Sequence, residues 1–210
     1  MKEERAIFGN TPVLDLSGLI PKHITNREQL NEWEAANILK AERKLLTQRR
    51  KLPFDAAFIL KTHGLMFDDT WNWAGTFRKF DVNIGVPWHS IQEQVKLLTD
   101  DLLSWEMQNT FHAFGRSVRL HHRLVKIHPF VNGNGRHARL ISDVYLYSRN
   151  EKPLEWPGYE LIDNSKLRER YILALKDADA GDYLPLERFI RRFVPGKIRS
   201  RLLKTHIERA

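Results

Sequence analysis

The chain of 210 residues has no cysteine, which excludes disulfides and thiolate metal centres, and its balance of 42% hydrophobic to 29% charged residues excludes a disordered polymer. Charges interrupt every apolar run before the roughly 18 residues a membrane helix needs, and Met1 to Gly9 lacks the apolar core of a secretory signal. A cytoplasmic protein without a membrane partner is therefore expected.

In chain order, Arg5 to Pro21 reads as an extended arm, with Gly, Pro and Asn scattered through it. Thr25 and Glu28 have the spacing of a helix capping box. Behind them Leu30, Trp33, Ala36, Ile38, Ala41 and Leu45 recur at helical intervals and predict a buried stripe. Further helices are predicted from Phe54 to Met66 and from Ile91 to Met107. Between these two, Thr76 to His89 alternates, is rich in β-branched residues and contains Gly85, which predicts a short β-hairpin flap. Val118, Leu120, Leu124, Val125 and Ile127 predict a helix that stops near His128, because Pro129 disfavours helical geometry in the residue before it. A helix resumes through Leu140, Ile141, Val144 and Tyr145, and two more follow near Ser165 to Ala178 and Pro185 to Phe193. The expected fold class is mainly α: a single helical domain over residues 23–194, an N-terminal arm at 1–22 and a basic tail at 195–210. The net charge of +8 is partly concentrated in that tail, with seven Lys/Arg against Glu208 from Arg191 onward, and in a run from Lys40 to Lys51. Such runs are ordinarily solvated faces, and nucleic acid ranks low among the expected partners.

The segment from His128 to Arg139 carries the chemistry. Glycines at 133 and 135 let backbone N–H groups converge on one point, and the helix that follows directs its positive end there. Arg136 and Arg139, three residues apart, share a helix face. Together these parts describe a polyphosphate cradle. His128 stands just before it, and an imidazole titrating near neutrality can take a proton from an attacking hydroxyl. Phe130 is the apolar anchor of the loop. Gly133 to Ala138 also fits a dinucleotide-binding fingerprint, but the preceding segment has helical rather than strand periodicity. No Gly-Lys-Ser or Gly-Lys-Thr is present, and His121, His122 and His128 lack a carboxylate or cysteine at zinc spacing.

This loop resembles the signature of the Fic (filamentation induced by cAMP) family, His-x-Phe-x-Asp/Glu-Gly-Asn-Gly-Arg-x-x-Arg, with Asn132 at the position of the usual acid. Trp73 to Arg78 and the Asn83 to Val86 region resemble the family's lead into its flap. Leu19 to Thr25 and the segment Glu34 to Ile38 resemble one subgroup, mobile mystery protein B. The resemblance implies a protein adenylyltransferase that moves AMP from Mg-ATP to a Ser, Thr or Tyr hydroxyl. It implies His128 as general base, the amides of Gly133 to Gly135 with the Asn134 side chain on the α- and β-phosphates, and Arg136 and Arg139 toward the β/γ end. Asn132 stands at the Mg²⁺ position, bringing no charge, and Ile84, Gly85 and Val86 form the flap that positions the target by strand pairing. Gly135, where a phosphorylating branch of the family has Lys, favours nucleotidyl transfer. Glu34 is the candidate inhibitory partner of Arg139, although the family's inhibitory pattern is not reproduced. The alternative is a Fic-fold module that binds nucleotide or a partner without transfer, in a toxin–antitoxin-like pair with a DNA-binding protein, in a bacterial cytosol.

Overall fold

The structure, a computed structural model, describes residues 18–47, 52–157, 161 and 165–195. The expected arm before residue 18, the end of the first basic run (48–51) and the tail from residue 196 lie outside the described residues. Seven α-helices occur among the described residues: α1 (Arg27–Leu46), α2 (Ala56–Phe67), α3 (Ile91–Met107), α4 (Ala113–Ile127), α5 (Asn134–Ser148), α6 (Lys166–Asp179) and α7 (Leu184–Ile190).

Short polar side chains set several of the helix starts. Asp55 accepts from the Phe58 N–H at 2.8 Å, and Ser165 accepts from the Arg168 N–H at 3.1 Å. The start of α1 is shifted one residue from the Thr25/Glu28 expectation: Asn26 is the cap, accepting from the Gln29 N–H at 2.9 Å, while the Gln29 side chain reaches back to the Thr25 N–H. The buried stripe of α1 also differs from the predicted one. Trp33 and Ala36 face outward, and the buried line is Glu34, Asn37, Ala41 and Leu45. Asn37 earns its place by closing the end of α2: its amide donates to the Leu65 carbonyl and Asp68, and its oxygen accepts from the Asp69 N–H and Thr70 hydroxyl.

α4 and α5 pack along each other at the centre. One core joins them to α1, α2 and α3 through Ala41, Ile59, Phe67, Leu98, Leu124, Phe130 and Ile141. A second core, built on Val118, Leu146, Tyr171, Leu186 and Phe189, holds α6 and α7 against them. His121 and His122 belong to this second seam: His121 meets the Tyr171 hydroxyl at 2.7 Å, and His122 meets Tyr183 and Asp179.

The segment between α2 and α3 is not a hairpin. Residues 76–87 form no strand, and the one extended pairing among the described residues is an isolated bridge between Leu19 and Trp71. Two features explain the loss of the ladder. Gly85 sits at φ +103°, outside the β region, and the Arg78 guanidinium takes the carbonyls of Phe80 and Val86 that a hairpin would pair across its strands.

Candidate active site

The central loop is held from every side. α4 ends at Ile127, and His128 turns into the left-handed region at φ 52°, its N–H returning to the Leu124 carbonyl at 3.0 Å. Phe130 is fully buried and stacks on His63 with ring centroids 3.7 Å apart. The Gly75 N–H donates to His63 Nδ1 at 3.0 Å, which puts the ring proton on Nε2, where it meets the Asn132 carbonyl at 3.1 Å. Gly133 has φ 76°, and a Cβ there would lie 2.4 Å from the Phe67 ring. Only glycine satisfies both demands. Gly135, inside the first turn of α5, has no such restriction.

Asn134 was expected to hold phosphate with its side chain, but both ends of that amide are engaged by the loop. Its oxygen accepts from the Phe130 N–H at 2.9 Å, and its NH₂ donates to the Phe130 carbonyl at 2.8 Å. The Gly133 N–H is likewise directed to the Asn132 side-chain oxygen at 2.7 Å. The first-turn amides of Asn134, Gly135 and Arg136 have no acceptor within the helix, as at any helix start, and they form the electropositive end of α5, a position that suits an anion.

Arg78, which lies in the flap and was not singled out as a site residue, fastens that flap to the loop. Its Nε donates to the His128 carbonyl at 2.8 Å and its backbone N–H to the Pro129 carbonyl at 3.0 Å. A Cβ on Gly85 would lie 2.6 Å from the His128 Cβ, so the flap backbone passes directly against the base of the His128 side chain. Val86 was expected to offer its backbone to a target. Its N–H instead meets the Ile127 carbonyl at 3.3 Å, and its carbonyl accepts from Arg78.

Burial pushes the His128 imidazole down to about 4; the nearby Arg78 charge adds to this, and a hydrogen bond with the Val125 backbone opposes it. The ring is therefore neutral at pH 7 and able to accept a proton.

Glu34 is paired, but not with the arginine anticipated. Its Oε2 meets Arg136 at 2.6 Å, while Oε1 accepts from the Trp71 indole at 2.7 Å. Trp71 fixes the carboxylate beside the first turn of α5, where the Arg136 guanidinium lies 5.0 Å over the Phe67 ring. Arg139 sits one turn further, among Tyr171, Asp143 and Arg168. Asp143 is buried beneath it and accepts from the Leu154 N–H and the Trp156 indole. Burial raises its carboxyl to about 7, against those hydrogen bonds and with help from Glu42. A cavity of about 1430 Å³ is lined by His128, the α5 start, Arg136, Arg139, Glu34 and Ile84 to Val86.

The position expected to hold a divalent metal lies in the same loop. Its one side-chain oxygen at the expected position, Asn132 Oδ1, is neutral and already accepts from Gly133, and no group of three His, Cys, Asp or Glu able to hold a metal occurs among the described residues. This donor set does not fit a cation held by the protein, since hard divalent ions favour carboxylate oxygens.

Residues 53–146 match the model of the Fic/DOC family. The chain is 32% identical over 119 residues to the protein adenylyltransferase Fic of Drosophila grimshawi and 33% to that of Drosophila melanogaster; each match covers 55% of this chain and 23% of the relative. The chain thus spans under a quarter of the length of these relatives. Among solved structures it is similar to the BepC protein of Bartonella tribocorum with bound AMPPNP, with a TM-score of 0.63 at 17% identity, covering 86% of this chain and 97% of that one. It is also similar to Fic-1 of C. elegans, with a TM-score of 0.63 at 23% identity, covering 91% of this chain and 56% of that one. Those two likenesses speak for the fold, and the family-model match covers the loop, the flap and both helices that frame them. Residues 53–146 of the chain form a domain of the Fic/DOC family.

Proposed function

We propose that this site transfers AMP from ATP to a hydroxyl of a protein Ser, Thr or Tyr. The observation that carries the reading is convergence: a neutral imidazole, the amide end of α5 and two guanidinium groups line one cavity beneath the flap. The name of the Drosophila relatives, protein adenylyltransferase, supports it.

In this reading the acceptor oxygen attacks the α-phosphorus, and its proton passes to His128. The bond from the α-phosphorus to the bridging oxygen breaks, and pyrophosphate leaves. The charge growing on pyrophosphate meets the first-turn amides of α5, Arg136 and Arg139. Such fixed dipoles and charges need no reorganisation at the moment of transfer. Asn134 contributes by holding the loop in shape, and Phe130 by anchoring it.

The test is transfer of label to lysate proteins from ATP labelled at the α- or at the γ-phosphate. Label from the α-position alone is expected. Label from the γ-position alone identifies phosphorylation and overturns the proposal.

Mg²⁺ enters this reading as part of the Mg-ATP substrate, held by phosphate oxygens and water. Asn132→Asp restores a carboxylate that can still accept the Gly133 N–H. The expected outcome is a lower Mg²⁺ concentration for half-maximal transfer, and an unchanged Mg²⁺ titration contradicts this role for the position.

A second reading, nucleotide binding without transfer, is favoured by one contact: the ion pair of Arg136 with Glu34 engages a guanidinium needed for the leaving group. In the transfer reading this pair is a brake. Glu34→Gly is then expected to raise transfer, and to lower stability by about 1–3 kcal/mol because the buried Trp71 indole loses its acceptor. Self-labelling and a thermal melt measure both. Unchanged labelling removes the regulatory role.

A further inference from the structure

Two Asn-Gly pairs occur in the chain, Asn132–Gly133 and Asn134–Gly135, and both lie in the central loop. Glycine after asparagine is the pairing most open to deamidation, because no side chain shields the main-chain nitrogen that attacks the carboxamide. The fold treats the two pairs differently. Asn134 is buried, both ends of its carboxamide are tied to the main chain of Phe130, and Gly135 lies in the first turn of α5. Held back onto a residue four positions earlier, that carboxamide is not available to the Gly135 nitrogen.

At Asn132 the reacting groups are already together. The Gly133 nitrogen lies 2.7 Å from the Asn132 side-chain oxygen, so the attacking atom and the carboxamide are in contact. The carbonyl of the same peptide unit accepts from Nε2 of the fully buried His63 at 3.1 Å. A donor on that carbonyl favours the anion formed when the peptide N–H loses its proton, as a hydrogen bond to any charged form does. Glycine is imposed at 133 by its φ of 76° and by the Phe67 ring, so the labile junction is a requirement of the fold. Asn132 is partly exposed and lines the cavity, which gives water access to it.

We propose that Asn132 is a self-modifying position, which converts to aspartate in the folded chain while Asn134 does not. The Gly133 nitrogen gives its proton to water and bonds to the side-chain carbonyl carbon of Asn132. The bond from that carbon to the carboxamide nitrogen breaks, and this nitrogen takes up a proton from water and leaves as ammonia. A water molecule then opens the cyclic succinimide at the same carbon, which restores the Gly133 N–H and leaves a carboxylate. Opening at the main-chain carbonyl gives isoaspartate instead and adds a methylene to a loop pinned at Phe130, His63 and Gly133. That carbonyl also meets a buried ring, whereas the cavity supplies the water, so the loop directs the product to aspartate. Conversion replaces a neutral oxygen by a carboxylate, the donor that hard divalent ions favour, at the position where the unmodified loop does not fit a metal. The modification stands apart from the AMP-transfer reading; its effect on Mg²⁺ demand rests on that reading.

The test incubates the full chain in heavy-oxygen water at mildly alkaline pH, with a parallel sample unfolded in urea. Digestion and fragmentation in a mass spectrometer then read positions 132 and 134 separately and distinguish aspartate from isoaspartate. In the folded chain Asn132 is expected to convert roughly tenfold faster than Asn134 or more, with heavy oxygen in the new carboxylate, because only one pair is held in a reacting arrangement. In urea the two pairs are expected to convert at similar rates, since the fold alone separates them. Equal conversion of both pairs in the folded chain, or an Asn132 that stays intact there while it converts in urea, overturns the proposal. Isoaspartate as the main product overturns the restored carboxylate. Transfer from α-labelled ATP by fresh and converted chain reads the consequence: half-maximal Mg²⁺ is expected to fall as the converted fraction rises. A converted chain with an unmoved Mg²⁺ titration overturns that consequence and leaves the modification standing. No transfer by either form, with ATP binding intact, overturns the transfer reading alone.

Discussion

Replacing His128 is expected to lower transfer from α-labelled ATP by roughly 10²–10⁴-fold, the range a positioned general base supplies, with ATP affinity nearly unchanged. The separation of the two effects follows from the layout. The groups proposed to face phosphate belong to α5, whereas the imidazole is carried by the residue that ends α4. One complication is conformational. His128 has φ 52°, and alanine there adds roughly 1–2 kcal/mol of left-handed strain that could loosen the loop. Asparagine tolerates that conformation far better and cannot accept the proton. His128→Asn is therefore the companion variant, with nucleotide binding and a melt as controls. If the Asn variant transfers label at the wild-type rate, His128 is not the base. If both variants lose transfer and also lose ATP binding, the loop rather than the base has been tested, and His128 is then a structural residue of the cradle.

The second large effect is acid sensitivity. Burial pushes His121 down to about 3, and His137 and His128 to about 4, while His63 is held well below the usual imidazole range by burial and by the neighbouring His137. Each of these groups binds a proton more weakly in the folded chain than in the unfolded one. Their contribution to stability is full above about pH 6.5 and is lost as pH falls toward 4. Every tenfold of proton affinity given up on folding is worth about 1.4 kcal/mol, so four such rings weigh heavily against a typical total of about 5–15 kcal/mol. Asp143 acts in the opposite sense. Its raised carboxyl contributes stability that is full below about pH 4 and is lost as pH rises through about 7. One carboxyl does not offset four imidazoles. Thermal melts between pH 4 and pH 8 are expected to show a steep fall in Tm below pH 6.5, moderated by Asp143 between pH 4 and 7, and a nearly level Tm above pH 7. A Tm that stays level down to pH 4 contradicts the burial of neutral rings. The loop is expected to fail first, because protonated His63 can no longer accept from the Gly75 N–H while it braces Asn132 and Phe130.

Local rules written into the sequence determined the helices and the centre of the site. Apolar periodicity places α3 at Ile91 to Met107, where the structure has it, because that helix buries one unbroken apolar line. Pro129 ends α4 at the predicted point through a steric clash between adjacent residues. The glycines of residues 133–135 announced the loop from which α5 starts, since a tight turn and free first-turn amides need no distant partner. What the sequence could not supply is every polar contact made across the fold. Glu34 and Asn37 occupy the buried line of α1, which apolar counting assigned in part to Trp33 and Ala36, because a buried polar group is stable only once a partner such as Trp71 or Asp69 arrives from another element. A histidine within the apolar run of α2 was the one visible hint of His63, and nothing in its neighbourhood pointed to Asn132, 69 positions away. The flap shows the same division. Alternation and β-branched residues predicted a hairpin, but an arginine that folds back onto the carbonyls of Phe80 and Val86 removes the hydrogen bonds a hairpin needs. Tertiary structure alone decided that, because Arg78 is held in place by the carbonyl of His128, 50 residues further along the chain.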